Sequence, residues 1–201
     1  MRNRRPWSFL CDPATGPHPC ASKLGENVGV EIARLETSEV SYAIGDLATL
    51  LVEVVEDGAS VGFMAGFSPE EAAAWWTATR AEVAGGRVVL FVARDDGAVV
   101  GTAQLKPSPM PNQHHRADVA KLLVRPAWRR RGIAKALMEA LESTAKEMGR
   151  TLLVLDTMQG SAAEQLYRST GWIEVGPIPE YAAWPDGSLG PTVVYYKRLE
   201  V

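Results

Sequence analysis

Cysteine is almost missing from this chain: Cys11 and Cys20 are its only two, both near the start. A disulfide framework is thereby excluded, and so is a catalytic cysteine in the rest of the chain. Histidine is scarce as well. His18, His114 and His115 have no flanking ligand pattern, so no metal is expected. There is no basic excess, with 21 Lys and Arg against 24 Asp and Glu and a formal net charge of −3. A nucleic-acid partner is therefore not expected. No apolar run approaches the roughly 18 residues that span a bilayer, so no membrane partner is expected either. Neither a P-loop nor a dinucleotide fingerprint occurs, and there is no internal repeat.

What is present suits one domain. The 201 residues are long enough to bury a core, and 46% are hydrophobic and 22% charged, ordinary for a globular protein. Residues 1–27 read differently. They hold Arg2, Arg4, Arg5 and four prolines and show no helical or strand period. Arg4-Arg5 before Phe9-Leu10 resembles a twin-arginine export signal. However, Asp12, Pro13, Pro17 and Pro19 interrupt the apolar region such a signal needs. The segment reads as a disordered extension, or as an over-long start, with a cytoplasmic domain over 28–201.

Along that domain, Val28–Arg34 alternates as a strand. Residues 39–56 carry Val40, Ala43, Ile44, Leu47, Leu51, Val54 and Val55 on one helical face. A glycine-rich turn follows, Gly58-Ala59-Ser60-Val61-Gly62-Phe63-Met64. Ser68-Pro69-Glu70-Glu71 starts a second helix as a capping box, and Gly85-Gly86 ends it. Val88–Ala93 and Ala98–Leu105 flank Asp95-Asp96-Gly97 as a hairpin. Lys106–Gln113 reads as a loop and Ala117–Val124 as a strand. Residues 131–148 form a helix with Ile133, Leu137, Leu141 and Ala145 inward. Thr151–Asp156 is a buried strand and Ser161–Thr170 a short helix. Trp172–Val175 and Thr192–Leu199 are the last strands, with a loop over Tyr181–Gly190. The order β α α β β β α β α β β predicts one mixed central sheet of about seven strands flanked by about four helices.

The informative stretch is Arg129-Arg130-Arg131-Gly132-Ile133-Ala134. A strand feeding a helix through a short turn gathers free backbone N–H groups at one point, which the helix dipole makes an anion site. Gly132 and Ala134 allow close approach, and the arginines and Lys135 add positive charge. Three arginines alone would fit a solvated basic face; the strand-then-helix setting favours a pyrophosphate.

Arg129-x-x-Gly132-x-Ala134 resembles the Q/R-x-x-G-x-G/A signature of the GCN5-related N-acetyltransferase superfamily. Leu122-x-Val124-x-Pro126 is similar to the strand preceding that motif. Ala163-x-x-Leu166-Tyr167-x-x-x-Gly171-Trp172 resembles its second motif. The resemblance implies acetyl-coenzyme A as co-substrate. It implies a bulged strand whose backbone at Leu122, Leu123 and Val124 pairs with the pantetheine arm, and a pyrophosphate loop over Arg130 to Lys135. The family's second motif usually begins with asparagine where this chain has Gly160; Ser161 is the candidate substitute. Gly58 to Met64, Ala117-Asp118-Val119, Leu155-Asp156-Thr157 and Pro185-Asp186-Gly187 resemble the tabtoxin-resistance acetyltransferases, which acetylate the amine of a β-lactam amino-acid toxin.

An alkyl amine with a pKa near 10 is only about one part in a thousand free base at pH 7, a deficit of roughly 4 kcal/mol. A base must take its proton. Asp118 and Asp156 are the candidates, at the ends of strands where ligands gather in α/β sheets. Their plain alternatives are a solvent-facing strand residue and a helix cap. Tyr167 matches the family tyrosine that faces the leaving sulfur. A phenol near 10 is a weaker acid than a thiol near 8.5, so full donation runs uphill by about 2 kcal/mol and a hydrogen bond to the thiolate matters at least as much. Ser60, Phe63, Met64 and Tyr181 are candidates to shape the acceptor pocket, with Trp75, Trp76 and Trp184 as possible lining. The reading is direct acetyl transfer to a small-molecule amine by a monomer or homodimer. Acetylation of a protein lysine or N-terminus stands as the alternative, and a non-catalytic acyl-coenzyme A sensor as one of another class.

Overall fold

The computed structural model of the protein describes residues 29–200. The expected N-terminal extension, both cysteines and Val28 lie outside the described residues. The elements run β1 (Val30–Leu35), α1 (Thr37–Glu56), α2 (Pro69–Ala84), β2 (Val89–Asp95), β3 (Ala98–Pro107), β4 (Arg116–Val124), α3 (Ile133–Glu147), β5 (Leu152–Met158), α4 (Ala162–Ser169), β6 (Ile173–Ala183) and β7 (Leu189–Arg198). This is the expected order, and the strands form one seven-stranded sheet in the order β1-β2-β3-β4-β5-β7-β6. Among the described residues only β4 and β5 are parallel neighbours. None of the described helices is long and apolar enough to cross a membrane.

Local chemistry sets the boundaries. The Glu36 N–H donates to Glu39 at 2.7 Å, starting α1 earlier than periodicity suggests. Ser68 and Glu71 exchange hydrogen bonds of 3.1 and 2.9 Å, fixing the start of α2. Asp96 and Gly97 both have positive φ, the type I′ geometry that joins two strands of matching twist. On α3, Ile133, Leu137, Leu141 and Ala145 are buried as the heptad-like spacing requires.

Two apolar layers result. α1 and α2 cover one face of the β1–β4 half with Leu47, Leu50, Leu51, Trp76 and Leu90. α3 and α4 cover the other face with Phe91, Leu105, Leu137, Leu141, Leu153 and Tyr195. Each such large side chain contributes about 1.5–3 kcal/mol by leaving water. Trp76 is wholly buried in the first layer, so it is a core residue and not a pocket wall.

The last hairpin departs from expectation. β6 runs from Ile173 to Ala183, so Tyr181 is a strand residue and not a loop residue. Pro177 and Pro179 interrupt any strand pattern in the sequence. An edge strand tolerates them because its outer N–H groups need no partner. β6 is such an edge, paired only to β7 and bulged near Gly176 and Glu180.

Candidate active site

The site begins where two parallel strands part. β4 and β5 pair only at Arg116–Leu152, Ala117–Leu153 and Asp118–Val154. Beyond these, β5 stays laddered to β7 as far as Met158, so its edge toward β4 is unpaired from Leu155 onward. The cause is a bulge in β4. Thr102 pairs with Leu123 and Gln104 with Ala120, leaving Ala103 opposite both Lys121 and Leu122. Lys121 adopts φ 52, unusual for a residue with a side chain. A bulge bends its strand and sharpens the twist, which turns β4 away from β5. The slot between them presents backbone N–H and C=O groups that an extended amide chain can pair with. The bulge lies beside Leu122, Leu123 and Val124, as the resemblance implied.

At the end of the slot the chain turns through Pro126–Trp128, a single 3-10 turn. The Trp128 indole donates to Asp95 at 2.8 Å and holds that turn against the β2–β3 hairpin. Arg130 (φ 64) and Gly132 (φ 80) are both left-handed, a conformation that directs successive N–H groups into a concavity. Gly132 caps α3 without a side-chain hydrogen bond. The N–H groups of Ile133, Ala134 and Lys135 therefore have no intrahelical acceptor. These donors suit a pyrophosphate. The arginines divide their work. Arg129 is held by Asp57 at 2.5 Å and Val124 O at 3.3 Å. Arg131 donates to Ala127 O at 3.2 Å and lies over the Trp128 ring. Lys135 pairs with Glu139 at 3.6 Å. Arg130 is exposed and has no side-chain partner among the described residues.

Alternation places the acids. Ala117, Val119, Leu153 and Leu155 all bury toward α3 and α4, so Asp118 and Asp156 project from the opposite face. Asp118 is half exposed, with Arg116 at 3.4 Å. Asp156 is exposed and lies 3.1 Å from the Thr192 hydroxyl. It does not cap α4; Glu164 takes the Gly160 N–H at 2.6 Å instead. Ser161, at the start of α4, sits 3.2 Å from the Thr157 hydroxyl.

Tyr167 comes from the other face, 5% exposed, with its ring 5.8 Å from Trp172 and 5.7 Å from Tyr195. Burial, then the charge of Asp156, then Tyr195 hold its phenol well above the ordinary tyrosine range. Tyr195 is itself pushed up to about 12 by burial and by its hydrogen bonds to Glu164 and Glu174.

The segment between α1 and α2 roofs the acidic face. Phe63 stacks on Phe67 at 4.3 Å and meets Trp75 edge-on at 5.5 Å. Ser60 is half-buried, while Met64 and Tyr181 are exposed at the rim. Ala65 N–H donates to Pro185 O at 2.9 Å, tying this segment to the β6–β7 turn. Trp184 packs over Gly190, where a Cβ would fall on its indole. Sequence reasoning missed Lys121, whose ammonium lies under this roof and donates to Val61 O at 2.7 Å. A single charge inside Ala120-Lys121-Leu122-Leu123-Val124 was the available signal.

Comparison with known proteins agrees with this architecture. The family model described as "Acetyltransferase (GNAT) family" matches residues 52–172. An N-acetyltransferase of Azospirillum brasilense, from the hisH-hisA intergenic region, is 27% identical over 169 residues, covering 80% of this chain and 98% of the relative. An aminoglycoside N(6')-acetyltransferase type 1 of Klebsiella aerogenes is 32% identical over 101 residues, 48% of this chain and 66% of the relative. An acetyltransferase structure from Salmonella typhimurium, solved with its cofactor acetyl-CoA, superposes with a TM-score of 0.67 at 15% identity, covering 86% of this chain and 95% of the other; at that identity it speaks to the fold. With more than half of the chain matched by the family model, the protein belongs to the acetyltransferase (GNAT) family and is an acetyl-coenzyme A-dependent N-acetyltransferase.

Proposed function

We propose that this enzyme acetylates the amine of a small amino-acid-like molecule directly, with a β-lactam amino-acid toxin or antibiotic as the specific acceptor and detoxification as the outcome. The observation that carries the reading is the placement of Asp118 and Asp156 on one face of the β4–β5 slot with Tyr167 entering from the other. The base and the thiolate donor need separate positions, because the nitrogen adds from one side of the carbonyl plane while the sulfur leaves along a different bond direction at the same carbon.

In this scheme acetyl-coenzyme A supplies an activated thioester. Residues Leu122 to Val124 align its arm along β4, and the loop from Arg129 to Lys135 holds its phosphates. Asp156, or Asp118 through water, takes the proton that keeps the acceptor amine charged. The nitrogen then forms the C–N bond as the C–S bond breaks, and the second amine proton leaves to the same carboxylates. Tyr167 stays protonated across the working pH, since burial raises its pKa. Its O–H therefore stabilises the departing thiolate as a hydrogen-bond donor and not as a full acid. The 32% identity to an aminoglycoside acetyltransferase supports a small-molecule amine over a protein terminus.

A thiol-release screen across amino acids, β-lactam amino acids, aminoglycosides and peptides tests the proposal. Turnover of amino-acid-type amines is expected. Turnover restricted to peptides would overturn it in favour of protein acetylation, and tight acetyl-coenzyme A binding without any turnover would indicate a sensor.

A further inference from the structure

Lys121 has a part in the sheet architecture but an incomplete set of partners. Its ammonium carries three donors, and one is used, by Val61 O at 2.7 Å. It lies 5.4 Å from the centroids of both the Phe63 and the Trp75 rings. Among the described residues no carboxylate comes within ion-pair distance of it. The Gly62 backbone (φ 91) passes directly above, where even a Cβ would stand 3.6 Å from the nitrogen. Burial is the main cause that lowers its pKa, repulsion from Lys106 adds to this, and Asp156 acts the other way. The ammonium is thus steadied by one carbonyl and two ring faces but has no paired anion among the described residues, which leaves donors for one.

The bulge is what brings it there. In regular alternation Lys121 would point to the α3 side, opposite Ala120. The left-handed backbone at Lys121 returns its side chain to the face of Asp118 and Asp156. That face therefore carries both signs: two carboxylates near the point where the strands part, and Lys121 and Lys106 beside them.

The geometry points to Lys121 as the residue that receives an anionic group of the acceptor, making the preferred acceptor an amine that also bears a carboxylate or a comparable single anion. This inference rests on the amine-acetylating reading above. Asp118 and Asp156 take the amine end of such a zwitterion and Lys121 the acidic end, in a charge-assisted hydrogen bond. A polycationic acceptor of the aminoglycoside class would bring further positive charge against Lys121 and Lys106 and is disfavoured.

The test compares acceptor pairs that differ only in the acid, an amino acid and its primary amide, by kcat/KM in thiol release. The amide also changes the amine's own pKa, but that effect cancels when the pair ratio of the wild type is divided by that of a variant. Lys121→Met keeps the aliphatic stem under Phe63 and Trp75 and removes the charge. The ratio is expected to fall roughly 10- to 100-fold, the range of a hydrogen bond to a charged group, chiefly through KM of the acid. Lys121→Arg should keep the greater part of the preference. If Lys121 only ties down the 58–64 segment, both members of each pair slow together and the ratio stays put, which overturns the inference. Should Lys121→Met not fold, the wild type decides. A simple carboxylate without an amine should inhibit competitively against the acceptor but not against acetyl-coenzyme A; no inhibition counts against the inference. Failure of every small amine to release thiol overturns the functional reading and this inference with it. Turnover of amines with no influence of the acid overturns this inference alone.

Discussion

Asp156 and Tyr167 reach the β4–β5 slot from opposite faces of the sheet, close enough for the carboxylate's charge to strengthen the hold of the phenol on its proton. In the proposed mechanism the pair spans the reacting centre, and its two members should fail in different ways when altered.

Tyr167→Phe keeps the packing against Trp172 and Tyr195 and removes only the donor. We expect kcat to fall roughly 10- to 100-fold, the scale of a donor lost beside a developing anion, while KM for acetyl-coenzyme A moves little. Steady-state kinetics with both substrates varied will check this. Wild-type turnover in the variant would leave Tyr167 a core aromatic.

Asp118→Asn with Asp156→Asn removes both proposed bases. Turnover at pH 7 should drop on the order of 100-fold or more. The deficit should narrow as the pH approaches the pKa of the amine, near 10, because the acceptor then arrives already uncharged. A pH–rate profile that falls equally at all pH values would instead assign the pair to substrate positioning.

Gly101 lies where α3 crosses β3. A Cβ there would stand 3.1 Å from Leu123 O and 3.2 Å from both Ile133 and Leu137. Gly101→Ala should cost about 1–3 kcal/mol in urea unfolding. The same push displaces the first turn of α3, so acetyl-coenzyme A affinity should weaken in calorimetry.

Glu71 ties its carboxylate to the Ser68 backbone and hydroxyl, which holds its pKa below the ordinary carboxylate value. In the folded protein it therefore stays charged to lower pH than in the unfolded chain. Its stabilisation is complete above the unfolded value, about 4.3, and is lost as pH falls through the folded one. Glu71→Gln should unfold at lower urea than wild type at pH 7, and the midpoints should converge as the pH falls and the Glu71 carboxylate is protonated.

Much of this was legible in the chain. Strand and helix order followed from periodicity, and the α2 start followed from Ser68 and Glu71, because these signals are local. The turn into α3 was legible because Gly132 and Ala134 sit where a strand meets a helix. β6 was not, since Pro177 and Pro179 mimic a loop and only the sheet order reveals an edge strand. Trp76 and Trp75 are adjacent and chemically alike, yet one is core and the other flanks the roof; the phase of α2 against its neighbours decides that. Lys121 was hidden for a further reason. Alternation predicts the wrong face for it, and nothing in Ala120-Lys121-Leu122 announces a left-handed residue.

The irregularity at Lys121 ties both proposed specificities, for donor and for acceptor, to one peptide unit. Deleting Leu122 alone would remove the bulge, straighten β4, let it zip onto β5 along its length, and swing Lys121 to the far side. The slot proposed for the donor and the charge proposed to meet the acceptor would vanish together. Redesign of this scaffold for a new acceptor must therefore work through the roof segment and the β6–β7 turn, leaving that kink in place.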